Sequence, residues 1–275
     1  MKVPRRIATV LINSLKGGVV PRIGLPYITV GRETELNALL HDVDIIADGG
    51  ASFRFIAGKY GSGKSFLLQT IRNYVMDRNL VVMDADLSPE RRLQGTKGQG
   101  LATYKELIRN MSTKTKPDGG ALTLILDRWI NNVQSEVLAE SGLTADDSAF
   151  SKLVEKKIYE VINALSEMVH GFDFARLLTL YYQAYIEGND ENKAKVVKWF
   201  RGEYVNTTEA KAELGVNIVI SDDDWYEYIK LFAMFLRKAG YAGLLILIDE
   251  LVNIYKIPNS ITRQYNSEKI LTMYN

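Results

Sequence analysis

The most constraining feature of this 275-residue chain is a glycine-rich octapeptide that runs from Gly58 to Ser65. Its sequence, Gly-Lys-Tyr-Gly-Ser-Gly-Lys-Ser, matches the pattern G-x-x-x-x-G-K-[ST] at every required position. Glycine lets backbone N–H groups approach an anion without interference from a Cβ atom, and the following helix directs its positive N-terminus at the same place. The pattern therefore predicts a phosphate-binding loop (a Walker A motif) between a strand and a helix.

The residue types in this loop predict their roles. Lys64 would bring a positive charge to the β- and γ-phosphates of a nucleotide, and the Ser65 hydroxyl would ligate Mg2+. The alternative, a glycine-rich turn with an accidental Lys-Ser pair, is disfavoured by the flanking patterns. ATP and Mg2+ are thus the predicted ligands, and the remaining nucleotide-binding residues predicted in this loop are Gly58, Lys59, Tyr60, Gly61, Ser62, Gly63 and Phe66.

The segments around the loop predict a βαβ unit. A short apolar run at residues 53–57 is typical of a strand, and an amphipathic helix is predicted at 65–78. A second buried strand follows at 80–83 and leads to Asp84 and Asp86. Strand, turn, helix and strand in this order imply a parallel sheet, so the predicted fold class is an α/β P-loop NTPase.

A second acidic strand end lies far along the chain. The apolar run at 244–248, which we expect to be buried on both faces, is followed by Asp249 and Glu250 in the manner of a Walker B strand. Asp249 would hold Mg2+ and Glu250 would polarise the attacking water, which makes Lys64 and Glu250 the predicted catalytic residues. One alternative is that Asp249 and Glu250 are only a solvated acidic pair at the end of a buried strand. The other is that Asp84 and Asp86 are the magnesium carboxylates, and these two residues rank second because they lack the Asp-Glu pair.

Between these strands the sequence pattern predicts a series of helices. Apolar residues recur at three- and four-residue spacing in 122–140, 153–169, 174–187, 191–200 and 222–238. Ser221 is the predicted N-cap of the last of these, and Asp222, Asp223 and Asp224 would compensate its dipole rather than form a metal cluster. The N-terminal part predicts helices at 7–15 and 33–40, and a final helix is expected at 262–274. We therefore predict a helical insertion, 103–240, between an N-terminal core part, 1–102, and the strand and helix of 241–275.

Composition excludes several classes of function. The 34 Lys and Arg residues nearly balance the 33 Asp and Glu residues, so a global basic field for nucleic acid is absent. A local DNA contact at Arg91, Arg92, Lys97 and the 114–116 loop stays open. The chain contains no cysteine, which excludes disulfides, thiolate metal sites and cysteine nucleophiles. No apolar run approaches the roughly 20 residues of a membrane span, so we expect a cytoplasmic protein without membrane contact.

Two sets of residues resemble known families. The segment Gly31-Arg32-Glu33-Thr34-Glu35-Leu36 resembles the G-R-E-x-E-L box of AAA+ and STAND-type ATPases, and this resemblance implies that Val30, Gly31 and Arg32 lie beside the adenine. The alternative is a helix start with acids in its first turn. Over nearly its whole length the chain also resembles the BREX-system ATP-binding proteins of the BrxC/BrxD type, above all the BrxD-like members. The segments that carry this likeness include Arg5-Arg6-Ile7, Trp199-Phe200-Arg201-Gly202-Glu203 and Leu247-Ile248-Asp249-Glu250-Leu251.

The family resemblance implies an AAA+-like ATPase of an anti-phage (antiviral) defence locus. Its expected partners are a DNA methyltransferase and other defence proteins, with DNA and a homo-oligomer as further candidates. AAA+ domains carry more strands, a sensor and an arginine finger after the acidic strand, whereas this sequence has 25 residues after Glu250, so we expect a truncated chain. Two functions stay open: an ATPase that couples Mg-ATP hydrolysis to conformational change, and a nucleotide-dependent switch or scaffold with little hydrolysis. A kinase is a third and less favoured hypothesis, because nothing in the sequence suggests a pocket for a phosphate acceptor.

Overall fold

A computed structural model describes residues 3–21, 24–144 and 147–274. Within these residues the chain forms two strands, a single 3₁₀ turn at Leu25–Tyr27 and twelve α-helices. The N-terminal elements are α1 (Arg5–Lys16), α2 (Glu33–Ala47), α3 (Lys64–Asp77), β1 (Leu80–Asp86) and α4 (Gln99–Arg109). The central helices are α5 (Leu122–Ser141), α6 (Ser148–Ser166), α7 (Gly171–Ile186), α8 (Asp190–Phe200), α9 (Thr207–Leu214) and α10 (Trp225–Lys238). The chain then forms β2 (Gly243–Asp249), α11 (Val252–Tyr255) and α12 (Ser260–Tyr274).

The two strands form a small parallel sheet. Leu80 lies opposite Gly243 and Asp86 lies opposite Asp249, so both strands end in an acid at the same edge. A parallel pair requires a long crossover, which α4 to α10 provide. The sheet thereby places the two acidic strand ends next to one another.

Each face of the sheet packs on a different layer. Leu80 and Val82 of β1 pack with Val43 of α2 and Ile71 and Val75 of α3. The alternate residues of β1 face a larger core built from the central helices. β1 is therefore buried on both faces. The prediction that β2 is equally buried is wrong, because most of its side chains are only half-buried and, in the described residues, β1 is its one hydrogen-bonded neighbour.

The central helices enclose an aromatic core. The ring of Phe174 lies 5.0 Å from that of Phe200 and 5.1 Å from that of Phe232, and Trp129 meets Phe235 at 5.1 Å. These tilted and edge-to-face pairs add to the apolar burial that holds the helices together. The described part of 103–238 contains helices and two isolated bridges but no strand, so the predicted helical character is confirmed.

The predicted strand at residues 53–57 is wrong, and so is the βαβ unit built on it. The segment has no regular secondary structure, and the Phe55 side chain is 59% exposed. Side-chain contacts hold it instead. The Phe53 ring lies 5.7 Å from that of Tyr274, and Arg54 donates to Asp42 of α2 at 2.9 Å. An apolar pattern suits a strand but cannot supply the neighbouring strand that its backbone hydrogen bonds need.

The predicted N-cap at Ser221 is also wrong, because α10 begins directly after Asp224. The N–H and hydroxyl of Ser221 donate to Asp224 Oδ1 at 2.7 and 2.9 Å. Asp222 accepts hydrogen bonds from Gly98 N–H at 2.7 Å and from Leu101 N–H at 2.8 Å. Its charge therefore stabilises the N-terminus of α4 rather than that of the helix that follows it in sequence.

The predicted final helix is present as α12, and a polar residue anchors it. Tyr265 and Leu271 are exposed, whereas Asn266 is fully buried. The Asn266 side-chain oxygen accepts hydrogen bonds from the N–H groups of Leu93 and Gln94, at 2.9 and 3.0 Å. These bonds attach α12 to the loop between β1 and α4. In the part of the chain that the structure describes, none of the helices combines the length and apolarity of a bilayer crossing.

Candidate nucleotide-binding site

The loop before α3 has a conformation that glycine permits. Gly61 and Gly63 have φ angles of +76° and +81°, in the left-handed region that disfavours a Cβ atom. A Cβ on Gly58 would lie 2.5 Å from Ser62 Oγ, which is closer than a side chain can approach. Tyr60 at the tip is fully exposed. The loop is thus shaped by its glycines and opens to solvent.

The N-terminus of α3 follows this loop directly. Gly63 C=O accepts the first hydrogen bond of the helix from Leu67 N–H at 3.0 Å, so the N–H groups of Lys64, Ser65 and Phe66 have no partner within the helix. The first turn contains no acidic residue that would neutralise it. This end of α3 therefore favours an anion.

Lys64 folds back over the loop. Its Nζ donates to Gly58 O at 3.1 Å and to Lys59 O at 3.2 Å. These carbonyls hold the ammonium group beside the N-terminus of α3. The loop thus brings the Lys64 ammonium group and three helix N–H groups to one place.

The next residue connects the two distant halves of the chain. Ser65 Oγ donates to Asp249 Oδ2 at 2.6 Å, across 184 positions of sequence. Asp249 Oδ1 also accepts the N–H of Glu250 at 2.8 Å. The carboxylate at the end of β2 is therefore oriented toward the first turn of α3, and a hydroxyl and a carboxylate are oxygen donors of the kind that Mg2+ prefers.

The acidic residues at the strand ends differ in their surroundings. Partial loss of hydration, together with the neighbouring Asp249 carboxylate, raises the pKa of Asp86 above its ordinary value. Asp84 instead pairs with the guanidinium of Arg72. Glu250 is exposed and has φ of +59°, an uncommon angle for a residue with a side chain. Of the two competing carboxylates, Asp86 lies next to the Ser65–Asp249 pair and Asp84 is engaged elsewhere.

Arg72 is a residue that sequence reasoning missed. Its side chain on α3 is nearly fully buried, and Nη2 donates to Ser112 Oγ and to Pro117 O, both at 2.6 Å. The same guanidinium pairs with Asp84 of β1. Arg72 therefore connects the helix after the loop to the segment that leads into α5. The available signal was an arginine on the otherwise apolar face of a predicted helix.

The three residues expected beside an adenine differ in their surroundings, because only Arg32 is seen to contact the glycine-rich loop. Val30 is 84% exposed and Gly31 has φ of +71°. Arg32 reaches the glycine-rich loop, where Nη2 donates to Ser62 O, and Nη1 pairs with Glu35 at 3.1 Å. The adenine contacts of these three residues stay a prediction, whereas Arg32 lies against the loop itself.

These observations define a mixed α/β protein with a candidate site for a phosphate-bearing ligand. The chain belongs to the family described as BREX system ATP-binding protein BrxC/D, whose sequence profile matches residues 3–275. The predicted family is confirmed, and a closer likeness to BrxD-like members stays a prediction. No curated protein and no solved structure is significantly similar to the chain. Membership supports ATP as the ligand and a role in a BREX system.

Proposed function

We propose that this chain binds Mg-ATP at residues 58–65 and hydrolyses it, and that the reaction drives a conformational change within a BREX defence system. The observation that carries the proposal is the 2.6 Å hydrogen bond between Ser65 Oγ and Asp249 Oδ2. It brings a loop of phosphate-binding pattern and an acidic strand end to one point, which is where ligands of parallel α/β sheets bind.

The residues of the loop would bind the triphosphate. The first N–H groups of α3 would donate to phosphate oxygens, and Lys64 would leave the carbonyls of Gly58 and Lys59 to contact the β- and γ-phosphates. Ser65 and Asp249 would hold Mg2+, since both offer hard oxygen ligands. The ion, when bound, would neutralise charge that develops on the phosphates.

Glu250 would activate the water. The water oxygen would bond to the γ-phosphorus while the bond to the β–γ bridging oxygen breaks, and the proton would pass to the Glu250 carboxylate. ADP would leave with the electron pair on its β-phosphate. The positive φ of Glu250 supports this role, because unusual backbone angles cluster at functional sites.

Substitutions in the loop test nucleotide binding. Lys64→Ala should abolish ATP binding in calorimetry, while Lys157→Ala serves as the matched control because Lys157 lies on α6 and pairs with Glu136 and Glu140 of α5. Glu250→Gln should bind ATP with Mg2+ and release phosphate at the background rate. Unchanged affinity in Lys64→Ala would refute the phosphate site, and unchanged turnover in Glu250→Gln would remove Glu250 from the mechanism.

The buried contacts of Arg72 favour a second candidate, a nucleotide-dependent switch with little hydrolysis. Arg72 connects α3 to Ser112 and Pro117, so a shift of α3 on ATP binding would reach the central helices without bond cleavage. Amide hydrogen exchange of residues 110–120, measured together with phosphate release, distinguishes the switch from the ATPase. Protection by a non-hydrolysable ATP analogue, together with absence of phosphate release from ATP, would favour the switch.

Contacts with DNA, with other BREX proteins and with further copies of this chain are proposals that rest on the family. So is the division of the chain at residues 102 and 240. The basic loops give DNA little support, because Lys114 pairs with Asp77 at 3.0 Å. DNA affinity that falls steeply with salt would support a phosphate-backbone contact.

A further inference from the structure

Arg32 occupies a position that its place in the sequence does not explain. It directly precedes α2, yet its Nη2 donates to Ser62 O, 30 residues further along in the phosphate loop. Nη1 of the same guanidinium pairs with Glu35 at 3.1 Å, one turn into α2. Glu35 therefore holds the guanidinium from one side while the loop carbonyl accepts from it on the other.

Because a peptide group is planar, the hydrogen bond from Arg32 to Ser62 O also fixes the direction of the Gly63 N–H. In a trans peptide the C=O of Ser62 and the N–H of Gly63 point in opposite directions. While Arg32 holds Ser62 O, the N–H of Gly63 points away from the guanidinium and stays available next to the first N–H groups of α3. A Cβ on Gly63 would lie 3.0 Å from Arg32 Nη2, so the guanidinium packs closely against this peptide.

The two cations that contact the loop differ in what a phosphate would do to them. Lys64 donates to carbonyls through a flexible ammonium, which an anion can draw away. Arg32 is bound to Ser62 O and to Glu35 at once, and a planar guanidinium with two fixed partners is preorganised. Arg32 is therefore suited to hold the loop in place while Lys64 moves to the ligand.

We propose that Arg32 is a positioning residue for the phosphates, which keeps the Ser62–Gly63 peptide in the orientation that binds an anion. This inference rests on the proposed function, and it differs from the adenine contact that the G-R-E-x-E-L resemblance implies. A positioning role predicts the same loss of affinity for every ligand that carries a polyphosphate. An adenine contact predicts a loss that depends on the base.

Calorimetry with ATP, GTP and inorganic tripolyphosphate separates the two roles. Arg32→Ala should weaken all three by a similar factor, about tenfold or more, as expected for loss of a charge-assisted hydrogen bond. The ratio of ATP to GTP affinity should stay unchanged, and Arg32→Lys should restore part of the binding by donating to Ser62 O. Arg78→Ala is the matched control, since Arg78 also pairs with a residue of α2, Asp44 at 2.6 Å, and within the described residues its guanidinium makes no hydrogen bond to the loop of residues 58–65.

Each other outcome has a definite meaning. Weaker ATP binding with unchanged tripolyphosphate binding would overturn the inference in favour of a base contact. Unchanged affinity for all three ligands would overturn it outright, although the proposed function would stand. If the unaltered chain binds none of the three, the proposed function fails and the inference fails with it. If Arg32→Ala does not fold, Arg32→Gln and Arg32→Lys carry the comparison.

Discussion

Replacing Asn266 with alanine is expected to release α12 from the loop that follows β1. The Asn266 side-chain oxygen accepts hydrogen bonds from the N–H groups of Leu93 and Gln94, and its amide nitrogen donates to Gln94 O at 2.8 Å and to Thr262 O at 2.9 Å. Asn266 is fully buried, so water cannot replace these partners without a rearrangement. Alanine would leave two backbone N–H groups without an acceptor.

The structure sets the size of this effect. A buried donor that loses its acceptor costs about 1–3 kcal/mol, and Leu93 is 1% exposed whereas Gln94 is half-buried. We therefore expect the free energy of unfolding to fall by about 2–4 kcal/mol, which is a large part of a typical total of about 5–15 kcal/mol. The melting temperature should fall by about 3–7 °C.

Urea denaturation provides the assay, and the protein contains a local reporter. Trp225 Nε1 donates to Leu93 O at 3.1 Å, so the indole lies against the loop that Asn266 holds. Tryptophan fluorescence and far-UV circular dichroism should both report the loss. The matched control is Ser267→Ala, which removes only a bond to Arg263 O within the exposed part of the same helix, at 3.1 Å. If both variants unfold at the same urea concentration, the anchoring role of Asn266 is refuted.

Three further substitutions test other contacts. Asp222→Ala should lower the free energy of unfolding by about 0.5–2 kcal/mol because α4 loses its cap, whereas Asp223→Ala should change it less; equal losses in denaturation would contradict this assignment. Gly63→Ala should weaken ATP binding, measured by calorimetry, because its φ of +81° suits glycine, and unchanged affinity would show that the loop adapts. The raised pKa of Asp86 means that the folded chain holds this proton more tightly than the unfolded chain, so ionisation of Asp86 reduces stability as pH rises from the ordinary aspartate pKa through the raised one. Asp86→Asn should therefore be the more stable form at neutral pH, with an advantage that shrinks in acid. A variant less stable than the parent at pH 7 would refute the cost that lost hydration and the Asp249 charge impose on ionised Asp86.

Local patterns in the sequence predicted much of the fold. Helix periodicity located α5, α7 and α8 to within a few residues, and the apolar runs before Asp84 and Asp249 are strands. These elements follow from side chains that are close neighbours along the chain. The two strands also meet in parallel with their acidic ends together.

What the sequence could not predict depends on partners far along the chain. The run at 53–57 has a strand-like pattern, but a pattern cannot show whether a neighbouring strand is present to pair with it. Asp222 belongs to an acidic triplet of the kind that begins a helix, and yet its side chain caps α4, more than 100 residues earlier in the chain. Asn266 looks like a solvent-facing residue of a polar helix until the loop at 93–94 is placed beside it. In each case the deciding contact is invisible to local periodicity.

During translation, the glycine-rich loop leaves the ribosome long before the carboxylate that it contacts. Ser65 and Asp249 are 184 positions apart, which corresponds to about 10–40 s of synthesis at about 5–20 residues per second. The helices α5 to α8 pack mainly on their sequence neighbours and can form during this interval. Their folding would bring the ends of the crossover together and reduce the entropy cost of closing so long a loop. A nascent chain would therefore expose a glycine-rich loop without its acidic partner, and the complete site would form only once the central helices have folded.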